Sequence, residues 1–576
     1  MKKKIISVLV AIALICVVAL VAIVPKILDR YAYSKERVDL TEYFECEGSE
    51  ARIMIQDALI SDRALVADGA VYFAYDTVAA YMEDRFYYND MEHVLKYTLP
   101  DHVETVFLDT NVIIKTTPDL SDQGTTENEM LAHVAAFEEE GTLYLSAEYV
   151  QRYCGMSYTL YGDGEPYRVQ VFIEEDTVTT ATVKKATSVR RLGGIKSPIL
   201  TDVAQGDEVV VLNRMETWAE VKTKDCVTGY IEVKYLENEQ ETLRTSERDY
   251  VEPVYPRITR DHKIVMAWHQ VMNSDANSTL NDVTANAGAL NVISPTWFYV
   301  SGDADGVSFD NLATAGYVAR AHEKGLEVWA LVDDFTRSPD IYGILSNSTT
   351  REALELQLVS AALNAGVDGI NIDFEKITKD CGVHFIQFLR ELSILTHKYN
   401  LVLSVDNYVP EGGRGQYHLE DQGIVVDYVV IMGYDEHWSG CSEAGSVASI
   451  GFVERGIRDT INIGVPADKI INGVPFFTRI WSTNGGDVTS SAGGMQWAKD
   501  WVNNYGINLV WDETTCQYYG EMTSGSALYQ VWMENAESLQ VKLNVMNSYG
   551  IAGVSAWKLG YETADIWAVI GAYAQS

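Results

Sequence analysis

Apolar runs that fit β-strands alternate with helix-like segments over residues 263–573. In the helix-like segments apolar residues recur every three or four positions, whereas the strand-like runs are short and almost continuously apolar. The runs predicted to be strands are 263–268, 289–299, 326–332, 367–374, 401–405, 428–432, 470–474 and 553–557. Their alternation with helices predicts an α/β fold containing a (β/α)8 TIM barrel. An open doubly wound sheet is the alternative, although no glycine-rich phosphate loop follows the first strand.

Two helices of this region carry signals for their ends. Residues 313–324 predict a helix that ends at Gly325, a residue suited to the left-handed conformation of a C-terminal cap. Thr349 and Glu352 have the spacing of a capping box, so we expect the next helix to begin at Thr349.

The first thirty residues form a separate hydrophobic pattern. Lysines at positions 2–4 precede an uncharged apolar run over 5–24. A helix of about 20 such residues is roughly 30 Å long, enough to cross the hydrocarbon core of a membrane. Because basic flanks stay in the cytoplasm, we predict that 1–30 is a transmembrane signal anchor and that the remainder is extracytoplasmic. A cleaved signal peptide, which would give a secreted protein, is the alternative.

Residues 49–172 contain two similar stretches, 68–81 and 140–150. Each has a turn-forming pair, a short apolar strand and a brief helical segment. The pattern resembles the α+β stalk-like repeat named after the N-terminal domain of copper amine oxidases. No histidine cluster accompanies it, so the resemblance implies no copper site.

Residues 178–240 predict short strands separated by turns. The pair Gly206-Asp207, then Trp218 and Tyr230, resemble a bacterial Src-homology-3-like domain, a small all-β barrel often attached to wall-acting enzymes. That resemblance implies binding to the cell wall or to a peptide. The alternative is that Trp218 and Tyr230 simply fill a small core.

Charge and cysteine content narrow the possible partners. A chain of 576 residues is too long for one core, and its formal net charge of −38 argues against nucleic acid. The seven cysteines include no C-x-x-C pair, and His269 and His437 are isolated. We therefore expect no metal, no cofactor and no disulfide framework.

The strand-like run 367–374 and the residue after it carry polar side chains at alternate positions, Asn371, Asp373 and Glu375. Because successive side chains of a strand point to opposite faces, these three lie on one face. Burial of unpaired carboxylates is costly and raises the pKa of one of them, as a general acid at neutral pH requires. A salt-bridged strand end is the alternative, but only Lys376 lies nearby in sequence.

The segment 368–375, DGINIDFE, resembles the D-G-x-D-x-D-x-E signature of glycoside hydrolase family 18, which includes chitinases and N-acetylglucosaminidases. Residues 432–435, MGYD, resemble the family's M-x-Y-D element. Residues 531–534 and 552–560 resemble its closing stretch. The resemblance implies that 261–573 is a family 18 barrel.

The resemblance also implies a retaining mechanism in which the substrate's own acetamido group is the nucleophile. By that analogy Glu375 protonates the glycosidic oxygen, Asp373 orients the acetamido N–H, and Tyr434 donates to the acetamido oxygen. Trp557 is expected to lie under the sugar. The other residues expected to contact substrate are Asp435, Asn371, Met432 and Trp268.

Asn371 departs from the family pattern, because many members have a third acid there. We expect its amide to hydrogen-bond Asp373 and to leave Asp373 more readily ionised. With asparagine at this position, the motif resembles that of relatives that act on bacterial cell walls and spore cortex.

The sequence thus predicts a glycosidase that cleaves β-1,4 linkages next to N-acetylglucosamine in peptidoglycan. Its expected partners are that polysaccharide, the cell wall through the accessory domains and the membrane through the N-terminal helix. Chitin oligomers are the alternative substrate, and a non-catalytic lectin-like barrel is the alternative function; the presence of Glu375 argues against the latter. Trp297 and Tyr299 are either sugar platforms or core residues, and Asp333 and Asp334 either line the cleft or face solvent.

Overall fold

A computed structural model describes residues 2–121, 124–162, 166–245, 250–412 and 414–576. Residues 1, 122–123, 163–165, 246–249 and 413 lie outside the described residues; four of these five stretches fall within the predicted regions 1–30, 49–172 and 261–573, and 246–249 falls between 178–240 and 261–573. The chain divides into two compact units. The first unit is Met1–Phe86, Val106–Ile113 and Asn128–Glu252, and the second is Tyr87–Thr105, Ile114–Glu127 and Pro253–Ser576.

The first unit begins with helix α1 (Lys2–Tyr31), which contains the predicted apolar run. Residues Lys3–Tyr31 are long and apolar enough to cross a membrane, by length and composition. The side chains of its apolar window are unburied, which is costly in water and is relieved in a hydrocarbon environment. A short helix, α2 (Leu40–Phe44), follows.

An α+β region follows α2. Its helices are α3 (Tyr75–Tyr81) and α4 (Ala147–Val150). The strands up to residue 172 are β1 (Glu50–Ile55), β2 (Ala58–Ala67), β3 (Ala70–Ala74), β4 (Tyr87–Asn89), β5 (Val94–Thr98), β6 (Val103–Phe107), β7 (Val112–Thr117), β8 (Thr125–Met130), β9 (Ala136–Glu139), β10 (Thr142–Ser146), β11 (Ser157–Tyr161) and β12 (Tyr167–Phe172). One sheet has the order β11-β12-β1-β2-β3-β10-β9, and a second has the order β4-β5-β6-β7-β8.

The two similar stretches each form a tight hairpin turn followed by a strand and a helix. Asp68 and Gly69 have φ of 50° and 81°, and Glu140 and Gly141 have φ of 51° and 79°. Two consecutive positive φ values match the hairpin turn whose twist fits paired strands, and glycine adopts the second at no steric cost. Strand β3 then leads into α3, and β10 leads into α4.

An antiparallel region follows, with the strand order β15-β14-β18-β17-β16-β13-β19. Its strands are β13 (Asp176–Val183), β14 (Thr187–Arg190), β15 (Ile199–Val203), β16 (Glu208–Arg214), β17 (Trp218–Lys222), β18 (Thr228–Glu232) and β19 (Leu236–Arg244). Small aliphatic side chains such as Val189, Val221 and Ile231 fill its core. Trp218 and Tyr230 are half-buried and lie outside that core, so the expectation that they fill it is wrong.

The second unit contains the barrel. Its further strands are β20 (Ile264–His269), β21 (Val292–Asp303), β22 (Gly306–Asn311), β23 (Glu327–Asp333), β24 (Gly369–Asp373), β25 (Val402–Tyr408), β26 (Tyr428–Met432), β27 (Ile470–Pro475), β28 (Phe477–Asn484), β29 (Asp487–Gly494), β30 (Val510–Asp512), β31 (Gln517–Ser524), β32 (Ala527–Met533) and β33 (Gly553–Trp557). Its helices are α5 (Leu280–Val283), α6 (Ala315–Glu323), α7 (Ile341–Ser346), α8 (Ser348–Ala365), α9 (Gly382–Lys398), α10 (Leu419–Val425), α11 (Ile450–Ile463), α12 (Met495–Tyr505), α13 (Ala536–Tyr549) and α14 (Ile566–Ala574).

Eight parallel strands close into a cylinder in the order β20-β21-β23-β24-β25-β26-β27-β33, and β33 pairs again with β20. Each of the eight predicted runs supplies one of these strands. Strand β22 is antiparallel and pairs only with β21 along the described sheet. The predicted (β/α)8 barrel is therefore confirmed, and the open-sheet alternative is wrong.

The predicted end of one barrel helix is confirmed, and the predicted start of another is wrong. Helix α6 ends beside Gly325, whose φ of 75° is left-handed. Helix α8 begins earlier than predicted, because the Asn347 side chain accepts hydrogen bonds from the N–H groups of Thr349 and Thr350. The capping box of Thr349 with Glu352 was therefore wrong, since a better cap lies two residues before it.

An insertion that the sequence pattern did not predict lies between β27 and α13. It consists of α12 and an antiparallel sheet with the order β29-β28-β32-β31-β30. Its own core includes Ile480, Val502 and Val531.

Strands β4 and β5 also belong to the second unit, although residues 49–172 were expected to form a separate region. Tyr87 is hydrogen-bonded to His384 of α9 at 2.7 Å, and Lys96 pairs with Glu391 of the same helix at 3.1 Å. The fully buried Arg351 of α8 donates to Glu391 at 2.7 Å. The predicted limits 49–172 and 261–573 therefore do not coincide with the two units, because this hairpin packs on the helices that flank β24.

Candidate active site

The segment 368–375 places its apolar and polar side chains on opposite sides of β24. Ile370, Ile372 and Phe374 are buried in the layer between the strands and the outer helices. Gly369 is required by close packing, because a Cβ atom there would lie 2.7 Å from the carbonyl oxygen of Val402. Asp373 lies on the opposite side of the strand from these apolar residues, at the carboxyl-terminal end of the barrel, where active sites of this fold lie.

A cavity of about 870 Å³ opens at this mouth. It is lined by seven of the eight residues that were expected to act in catalysis or to contact substrate: Asp373, Glu375, Tyr434, Trp557, Asp435, Met432 and Trp268. The size is that of a pocket for a small ligand or for a few sugar rings. One expected contact residue, Asn371, does not line it.

Asn371 lies beneath the cavity and is completely buried. Its side-chain oxygen accepts from Trp268 at 3.1 Å and from Ser294 at 3.0 Å, and its nitrogen donates to Asp406 at 2.8 Å. The expected contacts with substrate and with Asp373 are therefore wrong. Side chains two residues apart on a strand are about 6.6 Å apart, whereas an adjacent strand is only about 4.8 Å away.

Asp373 is an almost fully buried acid, 7% exposed. Burial raises its pKa well above the ordinary value, and the nearby charges of Asp406 and Glu375 raise it further. The expectation that Asn371 leaves Asp373 more readily ionised than a third acid would stays a prediction, because it compares two different residues at position 371. The Oδ1 atom of Asp373 is buried and has no hydrogen-bond partner among the described residues. This oxygen is therefore an acceptor for which the described residues provide no donor.

Asp406, at the mouth-facing end of β25, was not singled out from the sequence. It lines the cavity, and burial raises its pKa to about 8, although the hydrogen bond from Asn371 opposes that shift. A partial signal was present, because Ser404 and Asp406 alternate with the apolar residues Leu403 and Val405 as the polar residues of β24 do.

Glu375 is held by groups from two neighbouring strands. The Tyr408 hydroxyl, on β25, donates to Glu375 Oε2. Asp334, which follows β23, accepts from the main-chain N–H groups of Glu375 at 2.8 Å and Lys376 at 2.9 Å. Asp334 is 1% exposed, and burial raises its pKa to about 7. Asp334 therefore neither lines the cavity nor faces solvent; it fixes the turn that carries Glu375.

Aromatic side chains form one wall of the cavity. The rings of Trp268 and Trp557 have centroids 5.9 Å apart, and Tyr434 meets Trp268 edge-on at 6.3 Å. Burial raises the pKa of Tyr434, as do the charges of Asp373 and Asp406, so its hydroxyl stays protonated and can donate. Trp268 is 1% exposed, so little of its ring surface is open to the cavity.

The remaining candidates separate into lining and packing residues. Tyr299 and Asp333 line the cavity, whereas Trp297 is completely buried and donates to Asn277 at 2.9 Å. Asp435 also lines the cavity and pairs with Arg479 at 3.4 Å. Burial lowers the pKa of His269 to about 4, and it hydrogen-bonds Tyr317 and Thr279. Across the described residues, no group of three or more His, Cys, Asp or Glu side chains could hold a metal ion.

This arrangement provides acid–base chemistry beside a flat apolar surface. A partly exposed carboxyl, Glu375, lies next to a protonated phenol and above a group of buried acids. Trp557 offers an apolar face of the kind on which sugar rings stack.

Comparisons with known proteins agree with this architecture. Residues 244–562 match the family model of Glycosyl hydrolases family 18. The glycosylase YvbX of Bacillus subtilis (strain 168) is 26% identical over 267 residues, which are 43% of this chain and 76% of that protein. The cortical fragment-lytic enzyme of the same strain is 28% identical over 240 residues, which are 39% of this chain and 54% of the enzyme, so this chain spans about half of that relative's length.

Among solved structures, the C-terminal domain of a chitinase-like protein from Desulfitobacterium hafniense DCB-2 superposes with a TM-score of 0.50 at 20% identity. The superposition covers 55% of this chain and 100% of that domain and shows the same barrel fold. The family model matches more than half of the 576 residues. The chain belongs to glycosyl hydrolase family 18 and is a glycosidase related to spore cortex-lytic enzymes and chitinases.

Proposed function

We propose that this protein is a retaining endo-β-N-acetylglucosaminidase that cleaves β-1,4 linkages next to N-acetylglucosamine in peptidoglycan glycan strands. The observation that carries the proposal is that Glu375, Asp373 and Tyr434 line one cavity together with Trp557. These groups supply an acid, a buried acceptor, a donor and an apolar sugar face within a single site.

In the proposed reaction, protonated Glu375 transfers its proton to the glycosidic oxygen as the bond to the anomeric carbon breaks. The acetamido carbonyl oxygen of the same sugar attacks that carbon, giving an oxazolinium ion and a free leaving sugar. Glu375, now a carboxylate, takes a proton from water, and the oxygen of that water opens the ion with retention. An internal nucleophile held in place gains up to about 7–11 kcal/mol from proximity.

Asp373 and Tyr434 are the proposed partners of the acetamido group. The unpartnered Oδ1 of Asp373 is suited to accept the acetamido N–H and to stabilise the positive charge that develops on nitrogen. The protonated Tyr434 hydroxyl is suited to donate to the acetamido oxygen. Trp557, Asp435, Met432 and Trp268 are the proposed sugar-contact residues.

The choice of peptidoglycan is supported by the relatives and by the sequence variant at Asn371. The cortical fragment-lytic enzyme is, by its name, an enzyme that lyses cortical fragments. Chitin oligomers are the second candidate, because endochitinase 1 of Metarhizium robertsii is 24% identical over 282 residues. A lectin-like barrel without activity is disfavoured by the intact Glu375.

The flanking regions suggest where the enzyme works. We propose that 1–30 anchors the chain in the membrane and that the catalytic barrel, 261–573, is extracytoplasmic; a secreted form is the alternative. Residues 49–172 and 178–240 are proposed as copper amine oxidase N-terminal-like repeats and a Src-homology-3-like domain that hold the enzyme at the cell wall. The half-buried rings of Trp218 and Tyr230 outside the small core support a binding surface there.

Mass spectrometry of the products tests this function. The protein is incubated with purified peptidoglycan and, separately, with chitin oligomers. We expect new reducing ends at N-acetylglucosamine in peptidoglycan fragments. Exclusive cleavage of chitin oligomers would support the second candidate, and the absence of any new reducing end would rule out both.

A further inference from the structure

Three cationic side chains line the cavity: Arg337, Lys376 and Arg414. Arg337 is neutralised, because its Nε donates to Asp310 at 2.7 Å. Lys376 is exposed to solvent, where its charge is screened. Arg414 is the half-buried cation whose charge has no ion-pair partner among the described residues.

Arg414 is positioned by an aromatic ring of the site. Its guanidinium carbon lies 4.2 Å from the centroid of the Tyr408 ring, whose hydroxyl donates to Glu375. Cation–π attraction at this distance holds the guanidinium over the ring. The nearest acid along the chain, Glu411, is paired with Arg455 at 3.2 Å. Arg414 is thus a positive charge held over the tyrosine that donates to the proposed proton donor.

A guanidinium that lines the cavity and has no ion-pair partner among the described residues is available to an anionic group of a substrate. A guanidinium binds a carboxylate with two parallel hydrogen bonds, a geometry that neutral sugar hydroxyls do not reproduce. Chitin oligomers carry no charge. Peptidoglycan glycan carries lactyl carboxylates, either free or joined to peptides that have carboxylates of their own.

We propose that Arg414 is a specificity-determining residue that binds a carboxylate carried by the sugar next to the scissile bond. This inference rests on the proposed glycosidase function of the same site. It explains how one barrel selects a charged glycan over a neutral one although the acetamido machinery is common to both. The free lactyl group and the peptide stem are two sources of the same carboxylate chemistry.

The test uses the full-length protein and three peptidoglycan tetrasaccharides. The first has free lactyl carboxylates, the second has these carboxylates converted to methylamides, and the third retains its peptides. Chitin tetraose is the neutral reference. We expect the wild type to cleave the first or the third with a kcat/KM about tenfold above that of the methylamide, as one charged hydrogen-bonded pair allows. A preference for the first assigns the lactyl carboxylate, and a preference for the third assigns the peptide carboxylate.

The matched variants are Arg414→Gln and Arg337→Gln, since both residues are cavity arginines that stack over a tyrosine. Arg414→Gln should abolish the preference by raising KM for the charged substrate alone, and Arg337→Gln should retain the preference. Arg414→Lys should restore part of it. Equal rates for charged and methylamide substrates in the wild type, or a preference that survives Arg414→Gln, would overturn the assignment. If no substrate, chitin tetraose included, yields products, the proposed function itself fails.

Discussion

The buried carboxylate of Asp334 accepts a hydrogen bond from the main-chain N–H of Glu375 at 2.8 Å. A second bond, from Lys376 at 2.9 Å, uses the other oxygen of the same carboxylate. An acid at the end of β23 therefore fixes the backbone that follows β24. The direction of the Glu375 side chain depends on a neighbouring strand as well as on its own.

Replacing Asp334 should displace Glu375 without removing any group that touches substrate. For Asp334→Ala we expect kcat to fall by about 100-fold while KM changes little, since small misplacements of catalytic groups carry costs of that size. Asp334→Asn keeps one acceptor oxygen and should recover part of kcat. Steady-state kinetics on an N-acetylglucosamine oligomer give the two constants. A loss that falls on KM instead would show that Asp334 acts on binding.

The buried acids predict how stability depends on pH. Burial raises the pKa of Asp406 to about 8 and that of Asp334 to about 7, whereas an unfolded aspartate has a pKa near 3.9. The native state therefore holds these protons more tightly, and the free energy of unfolding should fall as pH rises from about 4 to about 8.

Asp406→Asn removes one of these protons while keeping a similar shape. As pH rises, the unfolding free energy of this variant should fall less steeply than that of the wild type. The two slopes should differ by up to about 1.4 kcal/mol per pH unit, the limit for one proton. Urea unfolding at pH 5 and pH 8, followed by tryptophan fluorescence, gives the comparison. Parallel pH dependences in the two proteins would mean that Asp406 does not titrate in this range.

The ion pair of Arg351 with Glu391 should be important for the stability of the second unit. The Arg351 side chain is completely buried, with 0% exposure, and donates to Glu391 at 2.7 Å. Arg351→Met leaves a buried carboxylate short of its main partner, which typically costs about 3–5 kcal/mol. The control is Arg458→Met, because Arg458 pairs with Asp459 at 3.0 Å on the surface and should contribute about 0–1 kcal/mol. Equal unfolding midpoints for both variants would contradict this ranking.

The barrel was predictable from the sequence because each strand is a short local run whose residues are mostly apolar. The insertion of β28–β32 was not, since strands such as β29 and β31 carry many polar residues and have the composition of loops. The position of β4 and β5 was also beyond prediction. The contact of Tyr87 with His384 joins residues 297 positions apart, and no local pattern encodes it.

The site was predictable along β24 and less so across strands. The alternation of Asp373 and Glu375 marked a polar face, and both residues line the cavity. The partners of Asn371 were misjudged, because they lie on other strands and only closure of the barrel brings them together. Asp406 and Tyr408 were missed for the same reason; Ser404 and Asp406 alternate with apolar residues, but the polar Asn407 interrupts that pattern before Tyr408.

The most direct test of the account is hydrolysis of an N-acetylglucosamine tetramer by the wild type and by Glu375→Gln. The glutamine has nearly the same shape but has no proton to give to the glycosidic oxygen. We predict a loss of about 10²–10⁴-fold in kcat, the usual contribution of a general acid, with binding of the tetramer unchanged by calorimetry. A Glu375→Gln protein that keeps most of the wild-type kcat would show that the reaction does not depend on this acid.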